Sequence, residues 1–227
     1  MKLSIVIPAY NEEKYIGKCL AGVLAEKHRW QHDVEIIVVN NASTDNTESV
    51  ARSFPCVIVV NESRKGITRA RQAGFEASTG DMIANVDADI FLPPGWINSV
   101  FRYFQDDKLV ALSGPQAVQG KSRWFNVAVF FFYGLGYAIY LAGKLFGKGT
   151  MLQGGNFVVR RSALEKIGGF DTTIDFYGED TDVARRIVEA GKVIFTFRLT
   201  AYTTDRRIAK EGLLKMGARY GINYIWT

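Results

Sequence analysis

The chain has 227 residues, 48% of them hydrophobic and 22% charged, a balance that fits a packed globular protein and excludes a disordered or collagen-like one. At ~150 residues per domain it holds one or two domains, enough to bury a core without disulfides or structural metal. Lys and Arg number 28 against 23 Asp and Glu; the net charge of +5 suits a phosphate-bearing ligand or an anionic surface but lacks the dense basic stripe that nucleic acid requires.

Leu3–Ile7 is the first apolar run, too short for a signal peptide and followed at once by Asn11-Glu12-Glu13. Lys14–Glu26 has helical spacing, with Cys19 on one stripe with Ile16, Leu20 and Val23. Cys19 therefore reads as a small core residue, and Cys56 lies far from it in sequence. A reducing, cytoplasmic location is the expectation. Further strands are expected at Glu35–Val39, Val57–Val60 and Met82–Val86, with helices at Thr47–Ser53 and Ile67–Ser78 between them. His28 and His32, an i, i+4 pair before the second strand, lack the further Cys or His that zinc would need and read as surface residues. Near-continuous apolar strands alternating with helices imply an α/β fold with a mostly parallel sheet covered on both faces.

Ligands of such sheets bind beyond the carboxyl ends of the strands. The residues there are Pro8-Ala9-Tyr10-Asn11-Glu12, the turn from Asn40 to Asp45, and Asp87-Ala88-Asp89. None is a glycine-rich phosphate loop, so P-loop and dinucleotide chemistry are not expected. Two carboxylates in the turn after the fourth strand are costly unless something positive lies near them. Taken alone, they fit either a capped turn or a Mg²⁺ or Mn²⁺ site with hard oxygen ligands.

Trp124–Gly143 contains no Asp, Glu, Lys or Arg and would measure about 30 Å as one helix. A single crossing of a bilayer would separate the chain before it from the chain after it. The segment 124–146 is therefore expected to pack on the core or a partner, or to lie at a membrane surface. Farther on, Gly154-Gly155-Asn156 precedes the apolar run Phe157–Val159. Asp180 stands at the start of a helical pattern, Asp182–Ala190, where a helix N-terminus favours an ionised carboxylate or a simple N-cap.

The ordered set Pro8 to Glu13, Asp45, Lys65-Gly66, Ala70 to Gly74, Gly80-Asp81, Asp87-Ala88-Asp89, Gly154-Gly155-Asn156, Gly178-Glu179-Asp180 and Asp205-Arg206-Arg207 resembles a family 2 glycosyltransferase with the GT-A nucleotide-sugar fold. The resemblance runs from about Leu3 to Gly212. It implies that the nucleoside lies among Pro8, Ala9, Tyr10, Glu12 and Asp45, with Asp45 favouring UDP by accepting a ring N–H of uracil. Arg71, Arg206 and Arg207 would lie near the nucleotide or its diphosphate. Asp87 and Asp89 match the family's metal and ribose/diphosphate motif. The late His ligand of many relatives is missing, and Asp205 is its candidate replacement. Gly154, Gly155 and Asn156 would line the donor sugar or acceptor, Asp180 matches the base of inverting members, and Glu179 would orient the acceptor.

These assignments imply one glycosyltransferase domain over 1–212, with a nucleotide-sugar half (1–117), an acceptor half (118–212) and a C-terminal apolar helical tail (213–227). The implied reaction is metal-dependent, inverting transfer of a sugar from a nucleotide-diphosphate donor to a hydroxyl or lipid-phosphate acceptor. It would be non-processive, because no Gln-x-x-Arg-Trp motif is present. The implied partners are a nucleotide-sugar and a saccharide or lipid-linked acceptor, at the inner face of a membrane if 124–146 touches one. Sugar-phosphate nucleotidyl transfer, a polyprenyl-phosphate synthase and an inactive nucleotide-binding scaffold are the alternatives.

Overall fold

Strict alternation in the first strand sets the architecture. β1 (Leu3–Ala9) sends Leu3, Ile5 and Ile7 to one face of a sheet and Val6 to the other, and all seven of its residues are buried. The same division recurs in β2 (Val34–Asn40), with Ile36 and Val38 opposed to Ile37 and Val39. Each face needs its own cover, and α1 (Ile16–Trp30) lays Ile16, Cys19, Leu20 and Val23 on the first.

The computed structural model describes residues 1–145, 151–174 and 178–206. In chain order the remaining elements are α2 (Thr47–Arg52), β3 (Val57–Asn61), α3 (Ile67–Ala77), β4 (Met82–Val86), β5 (Ile90–Phe91), α4 (Trp96–Tyr103), β6 (Leu109–Ser113), β7 (Gln116–Val118), α5 (Arg123–Leu145), β8 (Asn156–Arg160), α6 (Arg161–Lys166), α7 (Glu179–Ile187), β9 (Lys192–Phe195) and β10 (Ala201–Thr203). Among these, the four strands and three helices expected in the first half appear at their places, with ends shifted by a few residues or fewer. The run Phe157–Val159 is the centre of β8.

Seven strands form one sheet in the order β3-β2-β1-β4-β8-β6-β9, and β5, β10 and β7 form a second, smaller sheet. The first four strands are parallel; β8 is antiparallel to both neighbours, while β6 and β9 run parallel to each other. The large sheet thus draws strands from both sides of residue 117. α1 and α4 cover one face. α3, α6 and α7 cover the other through Ala70, Phe75, Leu164, Val183 and Ile187. Gly74 lets α3 approach closely, since a Cβ there would collide with Val6 and press on Val39.

α5 holds the apolar segment of the second half. Its inner side is anchored: Asn126 exchanges hydrogen bonds with the backbone of Val118, and the Tyr140 hydroxyl donates to the Val193 carbonyl at 3.1 Å. Among the described residues no helix is long and apolar enough to cross a membrane. Residue 146 and the expected tail 213–227 lie outside the described residues.

Candidate active site

The loops after β1 and β2 are stitched together by short polar side chains. The Asn41 backbone N–H donates to the Ala9 carbonyl, the Glu12 N–H to the Thr47 hydroxyl, and the Glu13 N–H to Asp45 Oδ2 at 3.2 Å. Asp45 Oδ1 accepts from the backbone N–H and the hydroxyl of Thr47. Burial alone would raise the Asp45 pKa, but the Thr47 hydroxyl and the neighbouring N–H groups outweigh it and hold the carboxyl low. Pro8 and Ala9 are buried within β1. Tyr10 projects from the rim, with the Lys65 ammonium 3.8 Å from its ring centre and hydrogen-bonded to its hydroxyl.

Asp87 and Asp89 occupy the turn between β4 and β5, where the Ile90 N–H donates to the Asp87 carbonyl. Each carboxylate meets a different guanidinium. Arg71, on α3, has a side chain only 1% exposed. Its Nη2 lies 3.2 Å from Asp87 Oδ1, and its Nη1 lies 3.1 Å from Glu179 Oε1. The guanidinium carbon sits 5.4 Å from the centre of the Phe157 ring. Burial would lower the Arg71 pKa, but Glu179, Asp87 and Asp180 outweigh burial and raise it, so the cation is locked on.

Asp89 accepts a hydrogen bond from the Thr204 hydroxyl and lies 3.5 Å from Arg206. The Arg206 fork is engaged bidentately by Glu12, at 2.7 and 2.8 Å. Burial raises the Glu12 pKa, Asp89 and Asp87 raise it further, and Arg206 opposes all three. Glu12, Asp87 and Asp89 therefore share one local field.

The glycine pair after residue 153 closes the distance between this turn and α7. Gly155 has φ +75, and a Cβ there would drive into the Asp87 carboxylate. A Cβ on Gly154 would meet Asp180, Glu179 and Arg71 within 4 Å. The Gly154 N–H donates to Asp180 Oδ2 at 2.9 Å, and Asp180 Oδ1 accepts from the Thr181 N–H. Burial and the adjacent Glu179 charge push the Asp180 pKa up to about 6, against the pull of Arg71 and the two N–H groups. Gly154 thus stands where the base candidate, its acidic neighbour and the buried arginine converge.

The structure corrects several expected placements. Arg71 lies beside the Asp87 turn, as expected, but with both terminal nitrogens on carboxylates, while Nε has no hydrogen-bond partner among the described residues. Asn156 faces the core instead of a sugar. Its amide donates to the carbonyls of Gly114, Pro115 and Leu199 and accepts from the Trp96 indole. Asp205 is in an exposed ion pair with Lys121 at 2.8 Å, whereas its neighbours Thr204 and Arg206 reach Asp89. Arg207 lies outside the described residues. His32 is half-buried, stacked on Phe101 at 3.9 Å. Thr47 and Thr204, which orient Asp45 and Asp89, carried no signal of their own, since a threonine in a polar turn is common.

The donor chemistry at Glu12, Asp87 and Asp89 fits a hard divalent cation. Three carboxylates sharing a field require compensating positive charge, and the Arg206 guanidinium now bridges two of them. Among the described residues no three His, Cys, Asp or Glu side chains are gathered tightly enough to enclose an ion. Asp87 and Asp89 would leave most coordination positions to water and ligand phosphates, the arrangement Mg²⁺ prefers.

A family model described as glycosyl transferase family 2 matches residues 4–168, and a model described as N-terminal domain of galactosyltransferase matches 144–207. Glucosyl-dolichyl phosphate glucuronosyltransferase of Haloferax volcanii is 26% identical over 92% of the chain and 66% of its own length. Across three other curated relatives, the chain spans only 20% to 35% of the relative's length. Among solved structures, the mannosyltransferase PcManGT of Pyrobaculum calidifontis in complex with GDP-Man and Mn²⁺ superposes with TM-score 0.70 at 21% identity, over 97% of this chain and 64% of that one. TarS 1–349 of S. aureus in complex with UDP-GlcNAc gives 0.68 at 16% identity, over 90% and 58%. The expected GT-A architecture is the observed one.

Proposed function

The chain belongs to glycosyl transferase family 2, and from that premise we propose that it transfers a sugar from a UDP-sugar to a hydroxyl of a lipid-linked saccharide, with inversion and one sugar at a time. The observation that carries this reading is the Arg71 bridge. It ties the Asp87-Ala88-Asp89 turn, which lies against Gly155, to the Glu179-Asp180 helix start, which lies against Gly154.

The acceptor oxygen attacks the anomeric carbon while Asp180 takes its proton, and the bond from that carbon to the diphosphate oxygen breaks with its electron pair on the leaving group. A carboxyl with pKa raised to about 6 is ionised at neutral pH yet basic enough to accept a proton as the attack proceeds. Glu179, held by Arg71, orients the acceptor. Asp89 and Asp87 would hold a Mg²⁺ or Mn²⁺ ion, which would supply Lewis-acid stabilisation to a departing diphosphate. The complex of PcManGT with Mn²⁺ supports divalent metal use.

Asp45 Oδ2 retains a lone pair beyond the Glu13 N–H, which supports recognition of the uracil ring N–H. The acidic loop Tyr10–Glu13 weighs against sugar-phosphate nucleotidyl transfer, which wants a basic, glycine-rich loop there. The Haloferax relative's acceptor, named as a glucosyl-dolichyl phosphate, supports a lipid-borne saccharide. A thermal-shift panel of UDP-, GDP- and dTDP-sugars with and without Mn²⁺ tests the donor. The largest rise is expected for a UDP-sugar with Mn²⁺. Acceptor-dependent release of UDP supports transfer, release of pyrophosphate supports the nucleotidyl reading, and release of neither supports a scaffold.

A further inference from the structure

α5 has one face built into the protein and one face turned wholly outward. Along the outward face lie Trp124, Val127, Phe131, Leu135 and Leu141, with Ala128, Gly134 and Ala138 between them, at i, i+3, i+4 and i+7. Trp124 is 81% and Phe131 73% exposed. From Trp124 to Leu141 this apolar stripe runs about 26 Å without a charged side chain. A continuous exposed patch of this kind marks an interaction surface.

The charges around it identify the occupant. Lys121 and Arg123 stand exposed at the N-terminal end, and the sequence places Lys144 in the last turn of the helix and Lys148 three residues beyond it. From Lys108 through Leu164 the chain carries seven Lys and Arg and no Asp or Glu. Asp205 meets this region and is paired with Lys121. Arg198 is exposed next to Phe197, whose ring packs against Phe130 and Tyr137 on the helix. Both ends of the helix are basic, so a second copy docked parallel or antiparallel would set cation against cation. A surface of anionic lipid headgroups over acyl chains answers both features at once.

We propose that α5 lies in the plane of an anionic bilayer surface, its Trp124–Leu141 stripe immersed and the exposed Lys121 and Arg123 at its N-terminal end on the headgroups. Resting on the lipid-linked acceptor reading above, this seat also sets where the acceptor arrives. The Tyr133 hydroxyl, on the anchored side of α5, donates to the Gln153 side chain at 3.1 Å, and the next residue, Gly154, donates its N–H to Asp180. The path from the lipid surface to the base is therefore a short series of direct contacts.

The test is co-sedimentation of the full chain with vesicles of equimolar phosphatidylglycerol and phosphatidylcholine, and with phosphatidylcholine alone. Binding to the anionic vesicles, weakened by salt, is expected. Trp124→Ser with Leu135→Ser removes two of the largest exposed side chains and is expected to lower the partition about tenfold or more. Arg123→Glu is expected to lower it on anionic vesicles only. The melting temperature and the UDP-sugar thermal shift of these variants are expected to match the parent, because the altered side chains are on the surface. Absence of vesicle binding, or equal partition of the double serine variant, overturns the proposal. A concentration-dependent dimer that this variant dissolves, without vesicle binding, also overturns it and gives the face to a second copy. Vesicle binding is read without turnover, so its failure is distinct from failure of the donor panel.

Discussion

Arg71 Nη2 and Asp87 Oδ1 lie 3.2 Å apart, and the same guanidinium reaches Glu179. This fully buried cation on α3 ties the turn that would hold the diphosphate to the helix that carries the base candidate. The two carboxylates come from elements 92 positions apart in sequence (179 − 87), so one side chain fixes the width of the site.

Arg71→Met is expected to cost about 1–3 kcal/mol, since it leaves Asp87 and Glu179, both reaching solvent, near one another without their counter-charge. Urea unfolding measures this. Arg71→Lys keeps the charge but has no planar fork to span both acids, so it is expected to recover part of the stability and little of the turnover. Equal stability of Arg71→Met and the parent would show that the bridge does not hold the site together.

Asp180 gives a pH dependence with a definite sign. A base must be ionised to act, and burial with the Glu179 charge raises this carboxyl to about 6. Under limiting donor, kcat/KM is expected to fall roughly tenfold per pH unit below that value and to level above it. Asp180→Asn is expected to lose about 10²–10⁴ in kcat and to flatten this limb. Near-full turnover of the variant would remove Asp180 as the required base.

How much of this was legible in the sequence divides along physical lines. The first-half strands and helices were, because near-continuous apolar runs through Val6 and Ile37, and helical apolar spacing through Val23, survive in the sequence. β5, β7, β9 and β10 were not anticipated, being strands of two to four residues with little room for a pattern. Asp87, Asp89 and Asp180 stood out by the motif order. The roles of Arg71 and Asn156 did not, because an arginine in a helix and an asparagine after two glycines give no hint of burial. Only the tertiary contacts with Glu179, and with the Gly114, Pro115 and Leu199 carbonyls, assign them.

Asn156 and Gly155 adjoin in sequence, yet their substitutions should behave differently. Asn156→Leu removes the amide partner of the Gly114 and Leu199 carbonyls and of the Trp96 indole N–H, while the Pro115 carbonyl keeps the Ala201 N–H, and is expected to destabilise by several kcal/mol, at about 1–3 kcal/mol per unsatisfied buried group. Gly155→Ala forces φ +75 on an alanine and pushes the Asp87 carboxylate aside. It is expected to weaken Mn²⁺-dependent UDP-sugar binding, read by thermal shift, with a stability loss of about 1–3 kcal/mol. Comparable donor binding in Gly155→Ala and the parent would separate Asp87 from the donor.

Arg206 supplies the last prediction. Its guanidinium pairs with Glu12 and approaches Asp89, so it occupies the positive position that a divalent ion would take between carboxylates. Without a ligand, the two cations compete for the same negative field. Arg206→Ala is therefore expected to tighten Mn²⁺ binding several-fold in the absence of nucleotide, measured by paramagnetic resonance of the free ion. Once a diphosphate is present the sign reverses. The variant then has one fewer charge-assisted contact for the phosphate oxygens, and UDP affinity is expected to fall. Unchanged Mn²⁺ affinity would place the ion away from Asp89. Unchanged UDP affinity would leave Arg206 as a partner of Glu12 alone.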